Sequence, residues 1–347
     1  MEIMKTKSWV CFVAGRSGGH IIPALTLAQQ YKEKNIDTNI LFLSTNTELD
    51  KKLLSKQPII DRLIHISLGN FPYKKLHKYP LFLWQLIISL CKSFYYLVRY
   101  RPQKITAMGG YISIPVCAIS WILHIPYELF ELNVVPGKTT TFLTSLVSRI
   151  NICFEQTKNH LPANKCYPIA YPVRFSANAK IIPKKEALAT LTFLSTRITI
   201  MILGGSQGSS FINNVMKKWI QSYSAYHSQI QIIHQTGLLH DQYVLEEFYA
   251  KNNIPAFVFD YSDELEYCYQ AADLIICRSG AGTLFEVYFF QKPCITIPLE
   301  TVATTHQYYN AKAMENLLPT LLTVIKQNEL EDNLPLLNKA IVHFIKI

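Results

Sequence analysis

None of the eight cysteines, at positions 11, 91, 117, 153, 166, 268, 277 and 294, forms a Cys-x-x-Cys pair, and no regular spacing links them. That argues against a disulfide framework or a zinc-finger pattern and predicts reduced, buried thiols of a cytosolic protein. No Gly-x-Gly-x-x-Gly turn occurs, nor any repeat of solenoid period or low-complexity tract. Acidic residues are scarce, 24 against 34 Lys and Arg, for a formal charge of +10. Nucleic acid, acidic small molecules and anionic lipid would all suit that excess, so the placement of the cations matters more than their sum.

The chain does have 347 residues, 49% of them hydrophobic, enough for two domains with separate cores. It opens MEIMKTKSWVCFVAG, with two lysines before a short apolar run. The run leads into a glycine loop rather than a cleavage-like site, so it reads as a first β-strand and not a signal peptide. Short β-branched runs then alternate with helical stretches. Strands are predicted over 9–14, 39–44, 63–67, 105–108, 127–131 and 150–154, and again over 198–203, 229–234, 256–259, 274–277 and 294–297. Residues 155–196 are rich in Pro, Lys and Thr and lack a long apolar period, which places a junction between domains 1–165 and 166–347. Each half reads as a doubly wound parallel sheet, whose ligands are expected beyond the carboxyl ends of the strands and in the cleft between the domains.

One stretch stands apart. Lys74, Lys75 and Lys78 precede the apolar, aromatic segment 79–98, and Arg99, Arg101 and Lys104 follow it. Its length would cross a bilayer, yet Gln85 and Lys92 interrupt it and Pro80 sits as at a helix N-terminus. It reads as a domain helix with an exposed apolar face beside a basic rim, suited to an anionic membrane surface. A wholly buried helix and a true span are the competing readings.

Four motifs carry chemistry. The first strand runs into Gly15-Arg16-Ser17-Gly18-Gly19-His20, where a helix begins. Glycines at such a turn let backbone amides approach an anion, and His20 at its mouth would donate to a phosphate or take a proton from a hydroxyl. A tight turn with a capping histidine would look the same. The second series opens with a strand into Ser206-Gln207-Gly208-Ser209-Ser210, and its next strand ends in His234-Gln235-Thr236-Gly237 with no acidic residue for a ribose. A nicotinamide cofactor is thereby disfavoured, and a diphosphate at Ser206 and neighbouring amides fits better. Cys277-Arg278-Ser279-Gly280-Ala281-Gly282-Thr283-Leu284-Phe285-Glu286 combines a strand end, a small-residue turn and a helix start. Glu286 follows Thr283 by three residues on one helical face, and its carboxylate would accept from both hydroxyls of a ribose unless it solvates its own helix. Finally, His306-Gln307 begins a helix after the strand CITIP, where an imidazole and an amide suit sugar hydroxyls.

Six segments in one order resemble the MurG family, the N-acetylglucosaminyltransferases that add the second sugar to the undecaprenyl-diphosphate-linked peptidoglycan precursor. They are the loop ending Gly18-Gly19-His20, Met108-Gly109-Gly110-Tyr111, Phe130-Glu131-Leu132-Asn133, Tyr171-Pro172-Val173-Arg174, Gly204-Gly205-Ser206-Gln207-Gly208 and Cys277-Arg278-Ser279-Gly280-Ala281. The resemblance spans nearly the whole chain. It implies the GT-B architecture of two Rossmann-like, doubly wound parallel-sheet domains, the first binding acceptor and membrane and the second the UDP-sugar. It implies UDP-N-acetylglucosamine as donor, an undecaprenyl-diphosphate-linked muramoyl-pentapeptide as acceptor, no nucleic acid, and no cofactor. The expected place is peripheral, at the cytoplasmic face of the bacterial inner membrane.

Carried over by the same resemblance, Arg174 and Ser206 would bind donor phosphates and Glu286 the ribose, with Gln207 among the substrate-binding residues. Ser262 would offer backbone contacts to uracil, and Ala281, Gly282 and Thr283, with His306 or Gln307, would contact diphosphate and sugar. Asn133 would face the donor sugar and His20 would serve the acceptor side, with Ser17, Gly18 and Gly19 of its loop also substrate-binding. The implied reaction is an inverting displacement, with His20 the first candidate for the base and Glu131 the second. The sequence has no Asp-x-Asp, in keeping with a mechanism without metal. Departures from the family pattern are Arg16 for a glycine, Ser17 for threonine, Phe130 and Leu132 for His and Gln, Tyr171 for Asn, and Gly282 for leucine. Only 36 residues follow Ala311, so shortened closing helices and weaker domain closure are expected. Two other readings share the motifs: a UDP-N-acetylglucosamine 2-epimerase or other transferase of this fold, and a divergent scaffold without turnover.

Overall fold

A computed structural model describes residues 8–69, 71–72, 75–205, 207–237, 242–262, 265–301 and 304–345. Two compact units divide between Arg174 and Phe175. The first contains β1 (Ser8–Val13), α1 (Gly18–Lys34), β2 (Thr38–Ser44), α2 (Glu48–Leu54), β3 (Arg62–His65), α3 (Tyr79–Tyr100), β4 (Lys104–Ala107), α4 (Ser113–Ile122), β5 (Tyr127–Glu131), α5 (Lys138–Leu143), β6 (Ile150–Ile152) and β7 (Cys166–Pro168). All its strand pairs are parallel, in the order β3-β2-β1-β4-β5-β6-β7. The near-continuous apolar runs of β1 and β2 fit a sheet covered on both faces. Cys11, Val13, Leu41, Leu43, Ile105 and Leu129 are fully buried in one core cluster with Val116 and Cys117 of α4.

The second unit contains α6 (Lys184–Thr190), β8 (Ile198–Leu203), α7 (Ser210–Ser222), β9 (Ile230–Gln235), α8 (Gln242–Lys251), β10 (Ala256–Phe259), α9 (Glu266–Ala271), β11 (Leu274–Cys277), α10 (Ala281–Phe290), β12 (Cys294–Thr296), α11 (His306–Leu317), β13 (Leu322–Val324), α12 (Gln327–Leu330) and α13 (Leu334–Ile345). Its sheet is parallel too, in the order β10-β9-β8-β11-β12-β13. The two doubly wound sheets are those the sequence predicts, with two short additions: β7 beside β6 and β13 beside β12. Because Cys166 pairs with Ile150, the segment 166–174 belongs to the first unit, and the division falls nine residues beyond the expected 165.

The eight cysteines carry free thiols. Six are buried, but Cys153 is half-buried and Cys91 lies exposed on α3, so the expectation of uniformly buried thiols fails there. In the second core, His234 bridges the Tyr249 hydroxyl (2.7 Å) and Asn213 Oδ1 (3.1 Å). Burial, then Lys217, depresses its pKa to about 3. The unfolded chain therefore binds a proton that the native state refuses between pH 6.5 and 3. Stability should fall with acid across that window, by about 1.4 kcal/mol per pH unit from this group. Chemical denaturation of wild type and His234→Gln from pH 7 to 4 checks this, the variant being expected to show the shallower loss.

Candidate active site

In each sheet the strand order reverses between two central neighbours, β1 and β4 in the first and β8 and β11 in the second. The space beyond their carboxyl ends is where such sheets receive ligands. At the first edge, Gly15 leaves β1 under close constraint, since a Cβ there would lie 2.9 Å from the Thr45 backbone nitrogen. Arg16 follows at φ +66°, the left-handed conformation that favours glycine. Buried Asp50 explains how an arginine is held there: Oδ1 accepts from the Arg16 backbone at 2.7 Å, while Oδ2 accepts from the Thr45 hydroxyl and the Thr47 backbone. The loop thus keeps a glycine-like path despite the substitution. Ser17 caps α1, its Oγ accepting from Gly19 N at 3.2 Å, and Gly18 starts the helix.

His20, half-exposed, comes next to the turn after β4, where Gly109 and Gly110 adopt φ of +83° and +74°. A Cβ on Gly110 would sit 3.8 Å from His20 Nδ1, so the imidazole lies against that backbone. At the end of β5, Glu131 is 4% exposed and accepts four hydrogen bonds. Oε1 takes the Asn133 backbone (3.1 Å) and side-chain amide (3.3 Å), and Oε2 takes Gly137 N (3.0 Å) and the Thr140 hydroxyl (2.7 Å). Burial pushes its carboxyl up while these donors pull it back. The geometry makes Glu131 and Asn133 partners that shape the turn into α5, with both Glu131 oxygens engaged. Arg174, half-buried, is the last residue of the first unit.

At the second edge β8 enters the turn 204–209. Gly205 and Gly208 have φ of +84° and +80°, and a Cβ on Gly204 would lie 2.7 Å from Ser209 N. Gln207 is exposed on this turn, and Ser209 caps α7 by accepting from Ile212 N at 3.3 Å. Ser206 lies outside the described residues. After β11, α10 starts at Ala281 behind Gly280, with no side chain capping its N-terminus. Gly282 and Thr283 are half-exposed in its first turn. Glu286 is 8% exposed, and its Oε2 accepts from the Tyr269 hydroxyl at 2.6 Å. Tyr269 in turn stacks on Phe290, with centroids 4.8 Å apart and planes 7° from parallel.

His306 starts α11, where burial lowers its pKa. Gln307 ties the preceding loop, its Oε1 accepting from Leu299 N at 3.0 Å. Ser262, half-exposed, follows β10 by three residues. The structure therefore gathers Ser17, Gly18, Gly19, His20, Glu131 and Asn133 at the first edge. It gathers Gln207, Ala281, Gly282, Thr283, Glu286, His306 and Gln307 at the second. Asp50, Thr140 and Tyr269 shape these edges without having been singled out in sequence, and Arg278, quoted there only within its motif, shapes the second edge too. Of the first three only Asp50 left a signal, because Thr47 precedes it by three residues in a capping-box spacing that the structure realises.

Two family models match the chain: the glycosyltransferase family 28 N-terminal domain over residues 10–152 and the glycosyltransferase family 28 C-terminal domain over residues 199–343. A Bacteroides fragilis UDP-N-acetylglucosamine–N-acetylmuramyl-(pentapeptide) pyrophosphoryl-undecaprenol N-acetylglucosamine transferase is 32% identical over 308 residues, 88% of this chain and 80% of that protein. Among solved structures, Acinetobacter baumannii MurG superposes with a TM-score of 0.70 at 22% identity, covering 97% of this chain and 90% of that one. The UDP-GlcNAc 2-epimerase from Methanocaldococcus jannaschii shares the fold as well, with a TM-score of 0.65 at 15% identity, covering 98% and 93%. With a family model on each sheet and a relative of this identity over most of both chains, the protein belongs to glycosyltransferase family 28, within the MurG family that its motifs resemble.

Proposed function

We propose that this transferase moves N-acetylglucosamine from UDP-N-acetylglucosamine to the muramoyl hydroxyl of an undecaprenyl-diphosphate-linked pentapeptide, with inversion, as a step of peptidoglycan synthesis. The Bacteroides relative carries that donor and acceptor in its name. The observation that carries the reading is the start of α10, an N-terminus without a side-chain cap and a buried carboxylate one turn further in. An uncapped helix start offers N–H groups and a favourable field to a diphosphate. A carboxylate steadied by the Tyr269 hydroxyl would accept from ribose hydroxyls.

In the displacement, the muramoyl oxygen attacks the anomeric carbon and its proton passes to the His20 imidazole. The bond from that carbon to UDP breaks with its electron pair on the departing phosphate. Helix N-termini at α7 and α10, with Arg174, offset the charge that develops there. His20 suits the base better than Glu131, both of whose oxygens are occupied by four donors. Radiolabelled UDP-N-acetylglucosamine and a short-chain muramoyl-pentapeptide diphospholipid test the reading. Transfer of label to the lipid is expected, and donor binding without any transfer would leave the scaffold reading in its place.

The acceptor's lipid also requires a membrane, and α3 is the element suited to one. It buries only Ser89, Ser93 and Leu97, a narrow stripe at four-residue spacing. Leu81, Leu83, Trp84, Ile87, Phe94, Tyr95 and Val98 are exposed, Trp84 by 61%. Exposed Lys75, Lys78, Lys92, Arg99 and Arg101 accompany them, while Lys74 lies outside the described residues. A wholly buried helix does not fit these exposures. By length and composition α3 could cross a bilayer, but it connects β3 and β4 of one sheet and packs on α4, which suits a helix lying at the surface. We therefore place the enzyme peripherally on the anionic cytoplasmic leaflet. Phe82 is half-buried, edge-on to Phe71 at 5.3 Å, so it serves the domain rather than the surface. Trp84→Ser with Ile87→Ser is expected to reduce sedimentation with anionic vesicles by about tenfold, on the order of 25 cal/mol per Å2 of apolar area withdrawn from the interface. UDP affinity should be unaltered, and an equal loss of both would assign α3 to the core.

A further inference from the structure

Arg278 follows β11 at the point where the second sheet reverses, and only 8% of it is exposed. Its guanidinium reaches three elements. Nε donates to Ser209 Oγ at 3.0 Å, Nη1 to the carbonyls of Ile297 (3.1 Å) and Pro298 (3.3 Å), and Nη2 to Gln327 Oε1 at 2.9 Å. One face lies over the Phe211 ring, 5.5 Å from its centroid. Every one of these acceptors is neutral, and among the described residues Arg278 forms no ion pair. Desolvating a guanidinium without a counter-charge is costly, and a fold retains such a group where another charge is met. Burial lowers its pKa only to about 10, so it stays cationic at neutral pH.

Ser209 links that charge to the turn before α7. Its Oγ accepts from Ile212 N while accepting from Arg278, so the guanidinium fixes the residue that caps α7 and closes the glycine turn 204–209. Gly208 in that turn is pressed so closely by Gly237 that a Cβ on Gly237 would overlap it, which leaves the turn little room to adjust on its own. Building on the donor reading above, we propose that Arg278 is a positioning residue for the donor diphosphate: it locks the α7 turn and leaves uncompensated positive charge beneath it, for which the diphosphate is the counter-ion. Arg278 need not touch the donor. Arg278 and Ser209 are both buried, so screening of its charge by water is weakened. It distinguishes UDP from uridine, because only the former carries the anion.

The ratio of UDP to uridine affinity, measured by calorimetry on the full chain, reads this charge directly. Arg278→Gln keeps a donor to Ser209 and loses the charge. It is expected to weaken UDP about tenfold, the effect of roughly one buried charge interaction, and to leave uridine within about twofold. Arg278→Lys keeps the charge without the fork, so its ratio should stay within about threefold of wild type even as the melting temperature falls. An Arg278→Gln protein that loses UDP and uridine in proportion, or neither, overturns the role of Arg278 alone. If Arg278→Gln does not fold, Arg278→Lys decides, since a ratio collapsed about tenfold overturns the proposal. A wild type that binds no UDP overturns the donor reading itself.

Discussion

Alanine at position 20 is expected to lower sugar transfer by about 10^2- to 10^4-fold while leaving UDP-N-acetylglucosamine affinity and melting temperature near those of wild type. The imidazole stands half-exposed at the first sheet's edge, against the Gly110 backbone, in a helix whose cap is made by Ser17 and not by His20 itself. Its removal therefore withdraws a proton acceptor and leaves the Ser17 cap in place. Glu131 provides the contrast. Alanine there would leave the Asn133 and Gly137 amides and the Thr140 hydroxyl without their acceptor, and buried groups left unpaired cost about 1–3 kcal/mol each. Loss of activity in Glu131→Ala should thus come with a lowered melting temperature, whereas His20→Ala separates the two. Single-turnover transfer and calorimetric melting on both variants make the comparison. Transfer by His20→Ala at more than a tenth of the wild-type rate would remove it as the base.

Most of the fold was legible because the longer strands write themselves as apolar, β-branched runs. ITIMIL of β8 and LIIC of β11 need no tertiary knowledge to be recognised. Cys-Tyr-Pro of β7 and Leu-Thr-Val of β13 are three residues long and sit at sheet edges, where pairing on one side suffices and no pattern accumulates. Missing β7 is what displaced the expected domain boundary. The site divides in the same way. Ser17 to His20 and Ala281 to Glu286 were readable because each is contiguous, a strand end running into a helix. Asp50 and Tyr269 reach the site from other elements, and only folding brings a carboxylate under Arg16 or a phenol onto Glu286. Arg278 was visible as a letter in a motif, but its meaning lies in four neutral acceptors spread from residue 209 to 327.

Glu286→Ala is expected to weaken UDP-N-acetylglucosamine by about 1–3 kcal/mol, roughly 5- to 150-fold, the usual cost of leaving ligand hydroxyls unpaired in a buried site. The carboxylate lies in α10, and the Tyr269 hydroxyl holds one of its oxygens at 2.6 Å. Tyr269→Phe should therefore produce a smaller loss in the same direction, on the order of 0.5–1.5 kcal/mol, because it removes one donor to the carboxylate without deleting it. Stacking of the ring on Phe290 would survive that change, which makes the hydroxyl the only group removed. A UDP-sugar analogue lacking both ribose hydroxyls separates ribose recognition from general support of α10. If Glu286 pairs with those hydroxyls, wild type should bind the analogue about as weakly as Glu286→Ala binds the natural donor. The variant should then lose little more with the analogue, the non-additivity expected of direct partners. Additive losses would instead make Glu286 a residue that stabilises its own helix and leave the ribose to another group at the second sheet's edge.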